Sequence, residues 1–351
     1  MTFDAARDIV AAAVHDRAFP AAVVEVGTRT DVVWTEAFGK LSYDLDASPA
    51  REDTVFDLAS LTKVIATAPL AMQQVERGTL GLDDPVARLV TAWRGSDRED
   101  VTVRDLLAHC SGLTAHLPLY RDHTGRAEFE HSIATLPLEY APRTRSIYSD
   151  LGFILLAFII EDTGAAGLSA RFQTLVGQMG IVDRLQFNPP PQWRRETAPT
   201  EQDSWRGRLL TGEVHDGNAW ALAGVAGHAG LFGTAAAVGA YARHLLQVLS
   251  GRTGAVARDT LLTFITRRHD VPESSRALGW DTMLPTSSCG TRMSPHAFGH
   301  TGFTGTSLWI DPERGVYVVF LTNRVHPTRD NDRIKQVRPA LHDAVMEAVD
   351  R

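Results

Sequence analysis

Cysteine, lysine and long apolar runs are scarce in this chain of 351 residues. The two cysteines, Cys110 and Cys289, match no metal-binding spacing, and we expect two buried or idle thiols rather than a disulfide. The zinc motif HExxH is absent, and no histidine forms a close ligand pair with a cysteine. The sequence therefore predicts neither a metal site nor a cofactor.

No apolar run reaches the roughly 18 residues that a membrane-spanning helix needs. The longest candidate, LGFILLAFIIED at 151–162, ends in acidic residues and is too short. The opening residues, MTFDAARDIV, lack the basic region and apolar stretch of a secretory signal. We expect a cytoplasmic protein without a membrane span, or a periplasmic or secreted one if a leader has been removed.

Basic residues do not outnumber acidic ones, since the net charge is −7. A surface that reads phosphates would normally make the balance basic, so a nucleic-acid partner is not expected. The 44% hydrophobic and 22% charged content is that of an ordinary globular protein.

Segments rich in β-formers stand at both ends of the chain, and helical patterns fill the middle. AAVVEVGTR and DVVWTEAFGK predict one hairpin, and FTGTSLWIDPERGVYVVFLTNR predicts another around the turn DPERG. This order predicts an α+β fold with one antiparallel sheet made from both chain ends and flanked by helices. We expect residues 1–78 and 266–351 to form the sheet domain, residues 79–265 an inserted helical domain, and the active site to lie in the cleft between them.

A lysine three residues after a serine is conspicuous because 32 of the 35 basic side chains are arginine. In FDLASLTK, Ser60 and Lys63 would share one face of a helix and come within hydrogen-bonding reach. A serine hydroxyl needs a base, and lysine can serve if desolvation and nearby positive charge lower its pKa, whereas arginine stays protonated. On this motif alone, a helix-capping serine with a surface lysine is an equal alternative.

Two further motifs follow in the chain. IYSDLGF contains Tyr148 and Asp150, and FGHTGFTGTSLWI carries the triplet His300-Thr301-Gly302 at the entry to a strand. With Ser60-Leu-Thr-Lys63, this ordered set resembles the serine β-lactamase and penicillin-binding protein superfamily. The chain is most similar to its class C-like branch of esterases, D-amino-acid peptidases and murein-processing amidases. The flanks GTLGLDDPV, VTVRDLLAHCSGL and AGVAGHAGLFGTA match as well, so the resemblance covers about 20–325.

The resemblance implies a β-lactamase/transpeptidase-like fold and a serine hydrolase that forms an acyl-enzyme on Ser60. Lys63 and Tyr148 would share the proton transfers, with Tyr148 easier to ionise beside the lysine ammonium. The oxyanion hole would consist of the backbone N–H groups of Ser60 and Phe303. The implied substrate-binding residues are Asp150, His300, Thr301 and Gly302.

Two positions depart from the pattern of penicillin-recognising members. Asp150 stands where asparagine is usual, and an ionised carboxylate can only accept hydrogen bonds, so it could hold Lys63 or bind a substrate amine or hydroxyl. His300 stands where true β-lactamases have lysine, and a histidine is only partly charged near neutral pH. Both changes favour an esterase, amidase or peptidase over an efficient antibiotic-hydrolysing enzyme.

The phrase GEVHDGNAWALAGVAGHAGLF resembles a murein-recycling branch that cleaves N-acetylmuramic acid from L-alanine. A muramyl-L-alanine amidase and a carboxylesterase are therefore the leading predictions, with a D-amino-acid peptidase or a weak β-lactamase as alternatives. The expected partner is a small molecule or a peptidoglycan fragment. An inactive peptidoglycan-binding relative is the alternative from another class.

The roles of two further parts of the sequence stay open. His215 and Asp216 fit loop hydrogen bonding, a substrate-facing wall or, least, a metal site. Ser111 in AHCSGL is a rival nucleophile, but no base follows it at the spacing of three residues.

Overall fold

The structure is a computed structural model that describes residues 2–351. Its strands are β1 Ala21–Thr28, β2 Val32–Gly39, β3 Phe56–Asp57, β4 Leu185–Phe187, β5 Gln202–Asp203, β6 Arg208–Leu209, β7 Leu231–Gly233, β8 Asp281–Thr282, β9 Phe298–Thr301, β10 Ser307–Asp311 and β11 Val316–Thr322. Its α-helices are α1 Asp4–His15, α2 Ala68–Arg77, α3 Val86–Leu89, α4 Val103–Leu107, α5 Gly125–Thr135, α6 Asp150–Gly164, α7 Leu168–Met179, α8 Gly217–Ala221, α9 Ala235–Leu249, α10 Arg258–Ile265 and α11 Ile334–Val349. The π-helical stretch Lys63–Thr67 runs directly into α2, and Leu119–Arg121 and Pro191–Glu196 are short 3-10 helices.

Six strands form one sheet in the order β2-β1-β11-β10-β9-β8, and every neighbouring pair is antiparallel. The N-terminal hairpin joins the C-terminal strands through the pairing of β1 with β11, in which Val24 faces Phe320. The predicted α+β fold, with a sheet made from both chain ends, is confirmed.

Both faces of the sheet are covered, which explains why β11 is buried along its whole length. Because side chains alternate along a strand, Val319 and Leu321 face one layer and Val318 and Phe320 the other. The first pair packs in the large core that contains α9, and the second pair packs in the core that contains α1 and α11. The sheet is therefore the middle layer of the fold.

The apolar run of α6 is explained by burial inside the protein. Residues Leu151–Ile160 are all buried, in the same core as α2 and α4. Within residues 2–351 no single helix is long and apolar enough to cross a membrane. The bent pair α6 and α7 together has the length and the apolar composition of a membrane span. Cys110 and Cys289 are both buried free thiols, as predicted.

The triplet His300-Thr301-Gly302 lies at the end of a strand, not at the entry to one. His300 and Thr301 end β9, and a tight turn separates them from β10. In this turn the Gly302 N–H donates to the Thr306 carbonyl at 2.7 Å. The sequence analysis missed β9 because this strand is only four residues long and contains Gly299 and His300, so it has no clear apolar pattern. The division into domains at residues 79 and 265 stays a prediction.

Candidate active site

Ser60 lies on a strained turn directly before the helical segment that carries Lys63. Ala59 has a φ of 47°, in the left-handed region that a residue with a side chain rarely adopts. The carboxylate of Asp57 offsets this strain by accepting the Ala59 N–H at 2.8 Å. The turn lets the Ser60 side chain line a cleft of about 680 Å³.

Lys63 is fully buried and its amine has three hydrogen-bond acceptors. Nζ donates to Ser60 Oγ at 3.0 Å, to Asp150 Oδ1 at 2.7 Å and to the carbonyl oxygen of His228 at 3.0 Å. Three acceptors satisfy the three protons of an ammonium group. The predicted approach of Ser60 and Lys63 is present, and in this geometry the lysine donates to the serine oxygen.

Tyr148 and Asp150 reach Lys63 because the residue between them points the other way. Ser149 is buried, accepts the Gly152 N–H at 3.2 Å as the cap of α6, and donates to the Thr114 carbonyl. Since neighbouring side chains in extended backbone alternate, this capping turns Tyr148 and Asp150 towards the cleft, which both residues line.

The Tyr148 ring lies beside two cations. Lys63 Nζ lies 4.7 Å from the ring centroid, and the guanidinium carbon of Arg276 lies 5.1 Å from it. The buried hydroxyl has no hydrogen-bond partner among residues 2–351. Tyr148 lines the cleft, and its hydroxyl lies near enough to Lys63 and Ser60 for both to act on the pKa of the phenol.

Both sequence-based statements about protonation are wrong. Burial is the largest single effect on the Lys63 amine and acts to lower its pKa, but the charge and hydrogen bond of Asp150, together with Tyr148, outweigh burial, so the net pKa is raised. Burial acts to raise the pKa of the Asp150 carboxyl, but Lys63 and His116 hold it well below its usual range. Burial also raises the pKa of Tyr148, because desolvation outweighs the attraction of the lysine. The resting site thus holds an ammonium, a carboxylate and a neutral phenol.

The turn after β9 is bound to the turn that carries Ser60. Thr304 Oγ1 donates to the Asp57 carbonyl at 2.7 Å, and Thr306 Oγ1 donates to the Leu58 carbonyl at 3.0 Å. A Cβ on Gly302 would lie 2.1 Å from Thr306 Oγ1 and 2.6 Å from the Leu58 carbonyl oxygen, so only glycine fits between the turns.

The backbone N–H groups of Ser60 and Phe303 are available as hydrogen-bond donors. Within residues 2–351 neither group has an acceptor, and both residues line the cleft. Their availability is compatible with the oxyanion hole implied by the resemblance.

His300 is uncharged and presents a hydrogen-bond acceptor to the cleft, whereas the sequence predicted a partly charged histidine. Its Nδ1–H donates to the Thr301 carbonyl at 2.8 Å, so Nε2 carries the lone pair and has no partner among the described residues. Burial, followed by the charges of Lys63 and Arg276, holds the pKa of His300 well below its ordinary value. His300 therefore offers a substrate no positive charge near neutral pH.

Arg276 is the cleft residue that the sequence reading missed. It lines the cleft, its guanidinium lies over the Tyr148 ring, and its charge lowers the pKa of His300. Among residues 2–351 no carboxylate forms an ion pair with its guanidinium. No local motif could have found it, because it follows a loop and precedes the short strand β8 in an arginine-rich chain.

Two histidine–carboxylate pairs lie at the cleft, which His215, Asp216 and His228 line. His228 Nε2 donates to Asp216 Oδ1 at 2.8 Å, and His215 Nε2 donates to Glu201 Oε2 at 2.9 Å. The sequence left loop hydrogen bonding, a substrate-facing wall and a metal site open for His215 and Asp216, and it assigned no role to His228. Their pairing could not be read from the sequence, because the partners are separated by loops.

Ligand atoms of His116, Asp150 and Asp216 lie within 4.8 Å of one another, a set that could hold a metal ion. The Lys63 ammonium already occupies Asp150 and would repel a second cation. The expectation of no metal stays a prediction.

Three comparisons with known proteins bear on this site. A family model described as Beta-lactamase matches residues 6–342. A Salmonella gallinarum protein named "Putative D-alanyl-D-alanine carboxypeptidase" is 31% identical, over 91% of this chain and 82% of its own.

Solved structures share the fold at lower identity. "EstCE1, a hydrolase with promiscuous acyltransferase activity" is 20% identical with a TM-score of 0.76, and covers 97% of this chain and 98% of its own. The octameric penicillin-binding protein homologue from Pyrococcus abyssi is 21% identical with a TM-score of 0.77, and covers 99% of this chain and 78% of its own.

Proposed function

Because the chain belongs to the β-lactamase family of serine hydrolases, we propose that Ser60 forms an acyl-enzyme and that the leaving group carries a carboxylate. The observation that carries the second part is the unpaired guanidinium of Arg276 in the cleft beside Tyr148. The first part is supported by the 3.0 Å contact between Ser60 and Lys63 and by the two free N–H groups.

Acylation needs a proton acceptor for the serine hydroxyl. Lys63 is an ammonium at rest, so it first loses one proton to solvent, and its neutral amine then accepts the proton of Ser60. The Ser60 oxygen then bonds to the substrate carbonyl carbon, and the N–H groups of Ser60 and Phe303 stabilise the oxyanion. Lys63 returns the proton through the Tyr148 hydroxyl to the leaving amine as its bond to carbon breaks. Water releases the acyl group by the same steps in reverse.

An Asp150→Asn variant tests this proton transfer. The carboxylate raises the pKa of Lys63, so its removal lowers that pKa and leaves more neutral amine at pH 7. We expect the alkaline-rising limb of kcat/KM to move to lower pH, measured from pH 6 to 11 with a nitrophenyl ester. Each 1.4 kcal/mol removed from the ion pair changes the neutral fraction about tenfold.

The same variant bears on antibiotic recognition. An asparagine amide at position 150 can donate to a substrate amide carbonyl, so nitrocefin hydrolysis should rise relative to ester hydrolysis. An unchanged pH limb in a folded Asp150→Asn protein would show that Lys63 is not the titrating base.

Arg276 favours a substrate that has a free carboxylate on the departing side. The guanidinium can donate hydrogen bonds to a carboxylate, and it packs on the ring of the proposed proton donor, Tyr148. A terminal D-alanine is such a leaving group, and the name of the Salmonella relatives supports this class. In a muramyl-L-alanyl peptide the corresponding carboxyl carbon is in an amide bond, and a simple ester leaving group has none. We therefore place D-alanyl peptides before the muramyl amide and the carboxylester predicted from the sequence.

An Arg276→Gln variant separates these substrates. For an N-acyl-D-alanyl-D-alanine, kcat/KM should fall about 10- to 100-fold, as expected for losing a charge-assisted hydrogen bond. For the carboxamide form of the same dipeptide, the rate should not change. Arg268→Gln, at a half-buried arginine that is paired with Asp270 and does not line the cleft, serves as the matched control. Equal losses on both dipeptides, or wild-type turnover of a muramyl-L-alanine amide alone, would overturn the carboxylate assignment.

A further inference from the structure

The buried residue His215 connects the two turns that present the N–H groups of Ser60 and Phe303. Its backbone N–H donates to Asp57 Oδ2 at 2.7 Å, and Asp57 Oδ1 accepts the Ala59 N–H at 2.8 Å. Its ring stacks on the Phe303 ring, with centroids 5.7 Å apart and an interplanar angle of 23°. One residue thus contacts both sides of the candidate oxyanion hole.

Glu201 determines how this histidine is oriented. Its Oε2 accepts the His215 Nε2–H at 2.9 Å, while Arg329 donates to the same carboxylate through its backbone N–H at 3.1 Å and through Nε at 2.9 Å. These contacts lower the pKa of Glu201 to about 2 against the effect of burial. An ionised carboxylate holds the proton of His215 on Nε2 and fixes the plane of the ring.

Arg324 holds Phe303 from its other side. Its Nε donates to the Phe303 carbonyl at 2.8 Å, and its guanidinium carbon lies 4.5 Å from the ring centroid. The Phe303 ring is therefore held between an arginine and a histidine although 49% of the residue is exposed. Such a clamp on an exposed aromatic residue restricts the direction of its backbone N–H.

We propose that His215, oriented by Glu201, is a positioning residue that sets the distance between the two oxyanion-hole donors. The inference rests on the proposed acyl-enzyme. Donors of this kind stabilise charge only when they lie about 2.7–3.1 Å from the developing oxyanion. A tilt of the His215 ring moves the Phe303 turn while its backbone contact keeps the Ser60 turn in place, so the two donors separate.

Infrared spectroscopy of the acyl-enzyme measures the hydrogen bonds that the two N–H donors make to the substrate carbonyl. The ester carbonyl of the acyl-enzyme formed from ¹³C-carbonyl p-nitrophenyl benzoate has an infrared stretching frequency that falls when the carbonyl accepts hydrogen bonds. We expect Glu201→Gln to raise this frequency and to lower kcat about 10- to 100-fold, with KM changed by less than about threefold. His215→Phe keeps the stacked ring but loses the bond to Glu201, and it should act in the same direction.

A matched control comes from Glu25, a second buried carboxylate that is not in the cleft. It accepts from the Tyr317 hydroxyl at 2.6 Å and from Arg243 at 3.1 Å. Glu25→Gln should lower the thermal unfolding temperature without moving the carbonyl band. If Glu201→Gln does not fold, His215→Phe decides the question.

Each result has one meaning. A wild-type frequency in folded Glu201→Gln and His215→Phe, or the same shift in Glu25→Gln, overturns the positioning role. If the wild-type protein yields neither an ester carbonyl band nor an acyl adduct on Ser60 in acid-quenched samples, the acyl-enzyme is wrong, and the positioning role falls with it. The two failures are therefore distinguishable.

Discussion

Ser60→Ala should abolish turnover of every substrate that the wild-type protein hydrolyses. Without Oγ no bond can form to the carbonyl carbon, while the N–H donors and the cleft remain. Loss of a serine nucleophile typically costs about 10³- to 10⁶-fold in rate. Initial rates with p-nitrophenyl butyrate and intact-protein mass spectrometry should show, respectively, this loss and no acyl adduct.

Ser111→Ala is the matched control, because Ser111 was the rival nucleophile. Ser111 is buried, and its hydroxyl only accepts the Leu113 N–H at 3.4 Å. A folded Ser111→Ala protein should therefore keep its activity and its adduct. Turnover that survives in Ser60→Ala but not in Ser111→Ala would overturn the assignment. An absence of both turnover and adduct in the wild-type protein would favour the binding-module alternative.

Lys63→Arg should lower kcat/KM by about 10²- to 10⁴-fold, the usual contribution of general acid–base catalysis. A guanidinium keeps the positive charge beside Asp150 but cannot release its proton. It is also planar, whereas Lys63 Nζ bonds to three acceptors on different segments of the chain. Steady-state kinetics, with thermal unfolding as a check on folding, would measure the effect.

Lys40→Arg is the same substitution at an exposed lysine that bonds only to a nearby carbonyl, that of Leu45. It should leave kcat/KM unchanged. Near wild-type activity in Lys63→Arg would show that position 63 supplies charge and not a transferable proton. Tyr148 would then be the group to examine as the base.

The ordered motifs were sufficient to predict the family and the fold. The match of the family model to residues 6–342 and the six-stranded sheet made from both chain ends confirm them. Strand and helix patterns depend on the local alternation of apolar residues, so they can be read from the sequence. The predicted contact of Ser60 with Lys63 was also accessible, because residues three apart on a helix are neighbours.

The protonation of the site could not be read in this way. Lys63 and Asp150 are 87 positions apart, yet their contact at 2.7 Å reverses the expected direction of the lysine pKa. The neutral state of Tyr148 likewise depends on how deeply its ring is buried, and a motif does not record burial. Asp150 was recognised as a departure from the family pattern that could hold Lys63, but its effect on the pKa of Lys63 was not predicted.

The sequence alone thus specified which chemical groups are present and the family to which the chain belongs. Local periodicity and ordered motifs can be recognised without knowing the three-dimensional structure. The placement of Arg276 beside Tyr148, and of His215 between the Asp57 carboxylate and the Phe303 ring, came from packing of distant segments. Charge, burial and hydrogen-bond direction depend on distances in space, so they exist only once the chain has folded.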